Sequence, residues 1–156
     1  MRSAEEELIG ILKEFRVNPV SSLPCEKIKN LLCLLQREFY HIPLTREEEG
    51  VGLSAGVALA GARPAMFVQS SGVGNMINAI LSLTAFYGLP LPIFVSQRGI
   101  YKETIAAQVP MGQRLPGILR ETGIPYSIIS RRNDFQIIRS HLLNVFEQYR
   151  IHVFLL

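Results

Sequence analysis

Apolar residues follow two rhythms along this chain. Residues 4 to 16 place Leu8, Ile11, Leu12 and Phe15 at helical spacing behind an acidic start, which predicts an amphipathic helix ended by Asn18-Pro19. Val20 to Leu23 reads as a short strand and Pro24 opens a turn. Ile28, Leu31, Leu32 and Leu35 then mark a second amphipathic helix. Phe39 to Leu44 reads as a strand. A third helix begins at Thr45, whose T-x-x-E spacing to Glu48 matches a capping box. That helix carries Gly52, Gly56 and Ala60 at four-residue steps, a small-residue stripe that lets another backbone come close, and it ends at Gly61.

Ala65 to Gln69 is a continuous apolar strand, Ser70 to Asn75 a glycine-rich turn, and Met76 to Tyr87 a helix. Leu91 to Ser96 is another apolar strand. Gln97 to Gly112 has mixed polarity and reads as a long loop, of the kind that carries function more often than filler. A short helix over Ile118 to Thr122 stops at Gly123, and Tyr126 to Ile129 is a strand. Phe135 to Tyr149 is a helix with Ile138, Leu142, Val145 and Phe146 inward, and His152 to Leu155 closes as a strand. Strands thus alternate with helices, and the middle strands are apolar on both faces. The pattern predicts an α/β fold: a single three-layer domain over residues 1–156, with a mostly parallel sheet flanked by helices. In such sheets ligands gather at the loops leaving the strand carboxyl ends, here after Leu23, Leu44, Gln69 and Ser96.

A net charge of +3 and a pI near 9.1 raise the question of nucleic acid, but the basic residues are scattered rather than gathered on one face, which argues against it. Cys25 and Cys33 lie eight apart in a helical segment, about 12 Å along the axis, too far for a disulfide. A reducing cytoplasm follows as the expected compartment. The N-terminus is acidic and lacks the apolar core of a signal peptide. From Gly50 to Gln97 the only charged side chain is Arg63, so much of this half is expected under other protein. Ser70 to Asn75 and Gly88 to Pro92 break that run into pieces shorter than the ~20 residues of a membrane span, so no membrane is expected.

Candidate chemistry centres on Glu47, Glu48 and Glu49. Two readings stand: a first-turn acidic cluster complementing the helix dipole, or a carboxylate held at a strand exit beside a glycine-rich face for function. The Ser70 to Asn75 turn is equally open. A strand, a glycine turn and a helix N-terminus can cradle phosphate, yet Ile77 stands where a third glycine of G-x-G-x-x-G belongs, and no G-K-[ST] occurs. The glycines would equally admit a ligand ring or a neighbouring chain. His41, His141 and His152 match no zinc spacing, and Asp134 beside Asn133 reads as a helix cap, so no metal site is expected. No G-x-S-x-G elbow is present.

The segments T-R-E-E-E-G-V-G-L-S-A-G, Q-S-S-G-V-G-N-M-I-N-A-I and S-Q-R-G, with A-A-Q-V-P-M-G-Q-R at 106 to 114, resemble the pyrimidine-binding domain of thiamine-diphosphate-dependent enzymes. More narrowly they are similar to sulfopyruvate decarboxylase alpha subunits and to the matching half of phosphonopyruvate decarboxylases. The resemblance implies that Glu47, with Gly50 three and Gly56 nine positions on, is the catalytic glutamate that shares a proton with N1′ of the cofactor's aminopyrimidine. That proton lets the 4′-nitrogen activate C2, and the thiazolium then accepts the electrons released with CO₂. It further implies that Ser71, Gly72, Val73, Gly74 and Asn75 bind cofactor.

The same resemblance accounts for what is missing. The family grips Mg²⁺ and diphosphate with a G-D-G motif, which this chain lacks. It implies thiamine diphosphate as cofactor, Mg²⁺ held by a beta subunit, a higher hetero-oligomer, and a small 2-oxo acid as substrate. That acid is 3-sulfopyruvate for coenzyme M synthesis or, alternatively, phosphonopyruvate or a relative. Gln69, Arg98, Lys102, Gln108 and Arg114 are the expected substrate-binding residues, with Gln97 and Gln113 nearby as further donors. A structural or ligand-sensing domain of the same fold is the non-catalytic alternative.

Overall fold

The computed structural model describes residues 2–156, and it builds strands β1 (Val20–Ser22), β2 (His41–Pro43), β3 (Ala65–Gln69), β4 (Leu91–Ser96), β5 (Tyr126–Ile128) and β6 (Ile151–Leu155). All pair in parallel, in the order β2-β1-β3-β4-β6-β5. The helices are α1 (Ala4–Glu14), α2 (Lys29–Glu38), α3 (Glu47–Leu59), α4 (Ser70–Ala79), α5 (Val109–Glu121) and α6 (Phe135–Glu147). The expected three-layer α/β architecture is what forms.

Alternation along the strands divides the core in two, because successive side chains point to opposite faces. Ala65, Phe67, Phe94 and Phe154 pack with α1, α2 and α6, through Ile11, Leu12, Leu35, Ile138 and Leu142. Met66, Val68, Ile93, Val95, Val153 and Leu155 pack with α3, α4 and α5, through Val51, Val73, Met76, Leu115 and Leu119. On the first face Phe67, Phe94 and Phe154 stand in register across β3, β4 and β6, with successive ring centroids 4.8 Å apart. Offset-stacked rings of this kind add to their area burial.

Four expectations need correction. The capping box at Thr45 and Glu48 does not form: Arg46 is still extended, α3 starts at Glu47, the Thr45 hydroxyl donates to Glu49, and Glu48 pairs with Arg46. A capping box does form at α1, between Ser3 and Glu6. The glycine-rich segment Ser70 to Asn75 is not a turn but the first turns of α4, which continues as a π-helical stretch, Ile80–Ala85. The Gln97 to Gly112 loop is shorter than expected. After a 3₁₀ turn at Ala106–Gln108, α5 begins at Val109, so the helix expected over Ile118 to Thr122 is only its last part.

Two prolines explain why α5 was masked. Pro110 sits in the first turn, where its missing N–H is no loss, but Pro116 lies inside the helix and leaves the Gly112 carbonyl without its ladder donor. The Gln97 side-chain amide donates to that carbonyl at 3.2 Å. Gly112 itself is required by contact, since a Cβ there would run into the Arg98 carbonyl.

Because β1 lies between β2 and β3, the chain leaves it toward one side and returns on the other. That is the switch point at which open α/β sheets form a crevice. The exits of β1, β2, β3 and β4 therefore open at one end of the sheet.

Candidate functional site

Glu47 is the first residue of α3, at the exit of β2. Its Oε2 accepts from Asn75 Nδ2 on α4 at 3.1 Å. The rest of its carboxyl lies over Gly72, where any Cβ would occupy the carboxyl's own space. A glutamate from one helix start thus nests against a glycine and an asparagine from the next. Gly50, buried one turn into α3, closes on Leu44 and Met66 and keeps the α3 start tight on the sheet. Gly56 is exposed.

The other two glutamates separate in role. The Glu49 carboxylate accepts from Thr45 Oγ1 at 2.7 Å, and Glu48 accepts from Arg46 Nε at 2.7 Å. Glu48 is held below the ordinary carboxylate range first by its own backbone amide and then by Arg46. Arg46 is therefore turned to Glu48.

The segment 71–75 divides by face. Gly72 and Val73 are buried, with the Val73 side chain in the core, while Asn75 and Gly74 face outward, the latter beside Met111 of α5. Ser71 is half-buried. Gly72 and Asn75 are the two that brace Glu47 by close approach and hydrogen bond.

The structure scatters the expected substrate residues. Gln69 and Arg98 come together: Arg98 Nη1 donates to Gln69 Oε1 at 3.3 Å. Arg98 is 5% exposed, and its guanidinium fork is closed by Glu103, with Nε to Oε2 and Nη2 to Oε1 both at 2.7 Å. Lys102 is exposed, with its ammonium 5.2 Å from the Tyr101 ring centroid. Gln108 immediately precedes α5, and its Oε1 is shielded from solvent with no hydrogen-bond partner among the described residues. Arg114 is exposed and donates to Pro110 O of its own helix at 3.1 Å. Sequence reasoning missed Glu103 and the buried Ser70, whose hydroxyl accepts from the Arg98 amide at 3.1 Å. The sole signal for Glu103 is a carboxylate five residues after an arginine at a strand exit.

Cys25 and Cys33 are free thiols, and no cluster of three or more metal-binding side chains exists among the described residues. No helix among them is long and apolar enough to cross a membrane. Asp134 stands at the N-cap position of α6 but makes no cap bond into that helix; its carboxylate instead accepts from the Ser130 and Arg131 amides before it, both at 2.9 Å.

A parallel α/β sheet with a carboxylate braced between two helix starts at its carboxyl end describes a class, and the comparisons give it a family. Residues 2–117 match the model of the thiamine pyrophosphate enzyme, N-terminal TPP binding domain, and the chain belongs to that family. It is 48% identical over 149 residues to sulfopyruvate decarboxylase of Methanosarcina acetivorans, spanning 96% of this chain and 38% of that protein. It is 43% identical over 126 residues to sulfopyruvate decarboxylase subunit alpha of Methanococcus maripaludis, spanning 80% of this chain and 75% of that one. Among solved structures, benzoylformate decarboxylase from Polynucleobacter necessarius superposes with a TM-score of 0.70 at 16% identity, over 99% of this chain and 30% of the other. That likeness speaks for the fold.

Proposed function

We propose that this chain is the alpha subunit of a thiamine-diphosphate-dependent decarboxylase that converts 3-sulfopyruvate to sulfoacetaldehyde and CO₂ in coenzyme M biosynthesis. The observation that carries the reading is the Glu47–Gly72–Asn75 nest. Its donor set fits the cofactor's pyrimidine: one carboxylate oxygen is held by Asn75, and the carboxyl can share a proton with a ring nitrogen. The names of the 48% and 43% identical relatives support the substrate.

In this reading residues 1–156 act as one pyrimidine-binding domain. Glu47 holds and returns a proton at its carboxyl, Asn75 fixes its orientation, and Gly72 leaves it room. When bound, thiamine diphosphate supplies the electron sink for loss of the carboxylate as CO₂, and a proton takes its place on the carbonyl carbon. Lys102, Gln108 and Arg114 are the donors of this chain offered to the sulfonate and carboxylate.

A beta subunit would hold Mg²⁺ and the diphosphate, within a higher hetero-oligomer. Support comes from the longer 48% identical relative, of which this chain spans only 38%, and from the outward face of α3 and α4. That face carries Gly52 and Gly56, whose Cβ positions look onto open space, and nearby Leu59 is 74% exposed. Small and apolar, it suits a permanent interface. The two free thiols fit a cytoplasmic location.

The test is turnover of the chain with its partner, Mg²⁺ and thiamine diphosphate, offering sulfopyruvate, phosphonopyruvate and pyruvate side by side. Sulfopyruvate is expected to win, and Glu47→Gln to lower kcat by roughly 10² to 10⁴. Undiminished turnover by the Gln variant would remove the assigned role.

A further inference from the structure

The strongest cluster of charge inside the molecule is not at Glu47. It lies across the neighbouring strand exits, where the Glu103 carboxylate, 4% exposed, accepts from Arg98 Nε and Nη2, from the Gly99 amide at 3.1 Å and from the Ile105 amide at 3.0 Å. These donors, Arg98 foremost, then Ile105 and Gly99, hold the Glu103 carboxyl well below the ordinary carboxylate range. The residue therefore ties both ends of the 99–105 segment to one buried cation.

That segment is also fastened from below. Lys27, in the turn that follows β1, donates to the Tyr101 carbonyl at 2.6 Å and stands 3.7 Å from Glu103. Cys25, 6% exposed, stands two residues before Lys27 in the same turn. On the other side Arg98 meets the start of α4 twice, its guanidinium donating to Gln69 Oε1 and its backbone amide to Ser70 Oγ. Two residues further along α4 comes Gly72, and then Asn75, the partner of Glu47.

An incoming anion would find no vacancy in this arrangement. To meet Arg98 a sulfonate must displace Glu103 and leave that carboxylate buried without its cation, which is among the costlier changes a protein interior can suffer. The fork geometry that recognises a substrate carboxylate is already satisfied by one from the chain itself.

We propose that Arg98 and Glu103 form a latch that holds the 99–105 segment closed onto the turn carrying Cys25 and Lys27 and, through Gln69 and Ser70, fixes the first turn of α4 that braces Glu47. Both are positioning residues, and neither meets substrate. The expectation of a substrate role for Arg98 is thereby replaced. The assignment deepens the decarboxylase reading only where it concerns turnover; the closed segment stands without it.

The chain contains its own reporter. Cys33 is exposed and Cys25 is covered, so a thiol reagent such as 5,5′-dithiobis(2-nitrobenzoate) should modify the intact wild-type chain in one fast and one slow phase. In Glu103→Gln, which leaves the Arg98 charge without its partner, the slow phase should accelerate roughly a hundredfold, and in Arg98→Lys, which keeps the charge but loses the two-pronged fork, about tenfold. Glu103→Asp, which keeps the charge but shortens the reach, should fall between. Leu142→Ala, a core change within α6, should lower the melting temperature and leave the slow phase unchanged at 25 °C.

With the partner subunit and cofactor, Glu103→Gln should lower kcat more than about tenfold with KM held within about twofold, the pattern of a displaced catalytic group. An unaltered slow phase in both Glu103→Gln and Arg98→Lys overturns the latch. So does an Arg98→Lys enzyme whose KM rises while kcat and Cys25 shielding persist, since that marks direct substrate contact. If the wild-type pair turns over no 2-oxo acid, the functional reading fails while the thiol rates still decide the latch.

Discussion

The two helical layers covering the sheet have opposite outer surfaces. α1, α2 and α6 turn polar faces to water and cross-link them with ion pairs: Lys13 with Glu38 at 2.5 Å, Arg132 with Glu7 at 2.9 Å, and Arg139 with Glu14 at 3.2 Å. Beyond their first turn α3 and α4 carry no charge at all, and their exposed positions are glycine, asparagine and leucine. Phe86 and Tyr87, just past the π-helical stretch, are 76% and 66% exposed. The first layer is finished against water; in the second, α5 carries exposed Arg114, Arg120 and Glu121, and only α3 and α4 are finished against the sheet alone. The nested Glu47 sits at the start of α3, so the chemistry and the bare surface belong to the same pair of helices.

This contrast can be broken from either side. The largest expected effect is on the finished layer, where Phe94→Ala removes the central ring of the stacked row and should lower unfolding stability by about 3–5 kcal/mol in denaturant titrations. Turnover per folded molecule should be kept. Gly72→Ala on the other layer should do the reverse: a methyl in the space of the Glu47 carboxyl displaces it, and kcat with the partner should drop roughly a hundredfold.

Next comes pH. His152 on β6 stacks on His141 of α6 at 4.0 Å, accepts or donates with Ser127 Oγ at 2.9 Å, and is pushed down to about 3, by burial first and by His141 second. Its unfolded value is about 6.5, so between those limits the unfolded chain takes up a proton that the folded one refuses. Stability should be flat above pH ~6.5 and fall by at most about 1.4 kcal/mol per pH unit below it, a slope that His152→Leu should flatten. The smallest effect is Gly56→Ala. Its new Cβ meets nothing within 4 Å, so the isolated chain should gain up to about 1 kcal/mol in thermal melts while co-elution with the partner weakens.

The sheet was legible because its central strands are apolar without interruption. Ala65 to Val68 and Leu91 to Val95 are fully covered on both faces, and only a strand between two helical layers has that property. That Glu47 stands at a helix start beyond a strand exit was legible from the element pattern around it. What stayed hidden depends on contacts between segments distant in sequence. Ser70 to Asn75 has the composition of a turn, yet helix α4 runs straight through it. Of the two glycines in that stretch only Gly72 approaches Glu47, and Gly74 lies beside Met111. Likewise α5 contains two prolines and two glycines, which local propensity reads as a loop. Arg98 looked like an available cation because the carboxylate that occupies it carries no periodic signal. The long uncharged run had two causes rather than one: its strands lie in the core, and only its helices present an unfinished surface.

Pro116 and Gln97 form a pair with an evolutionary signature. The proline withholds a donor from the Gly112 carbonyl and the glutamine, far away in sequence, restores it, so each residue is tolerable chiefly because of the other. Selection should therefore act on them jointly. In a lineage where position 116 regains an N–H, position 97 is released to drift, and where the glutamine is lost first, replacement of the proline should follow.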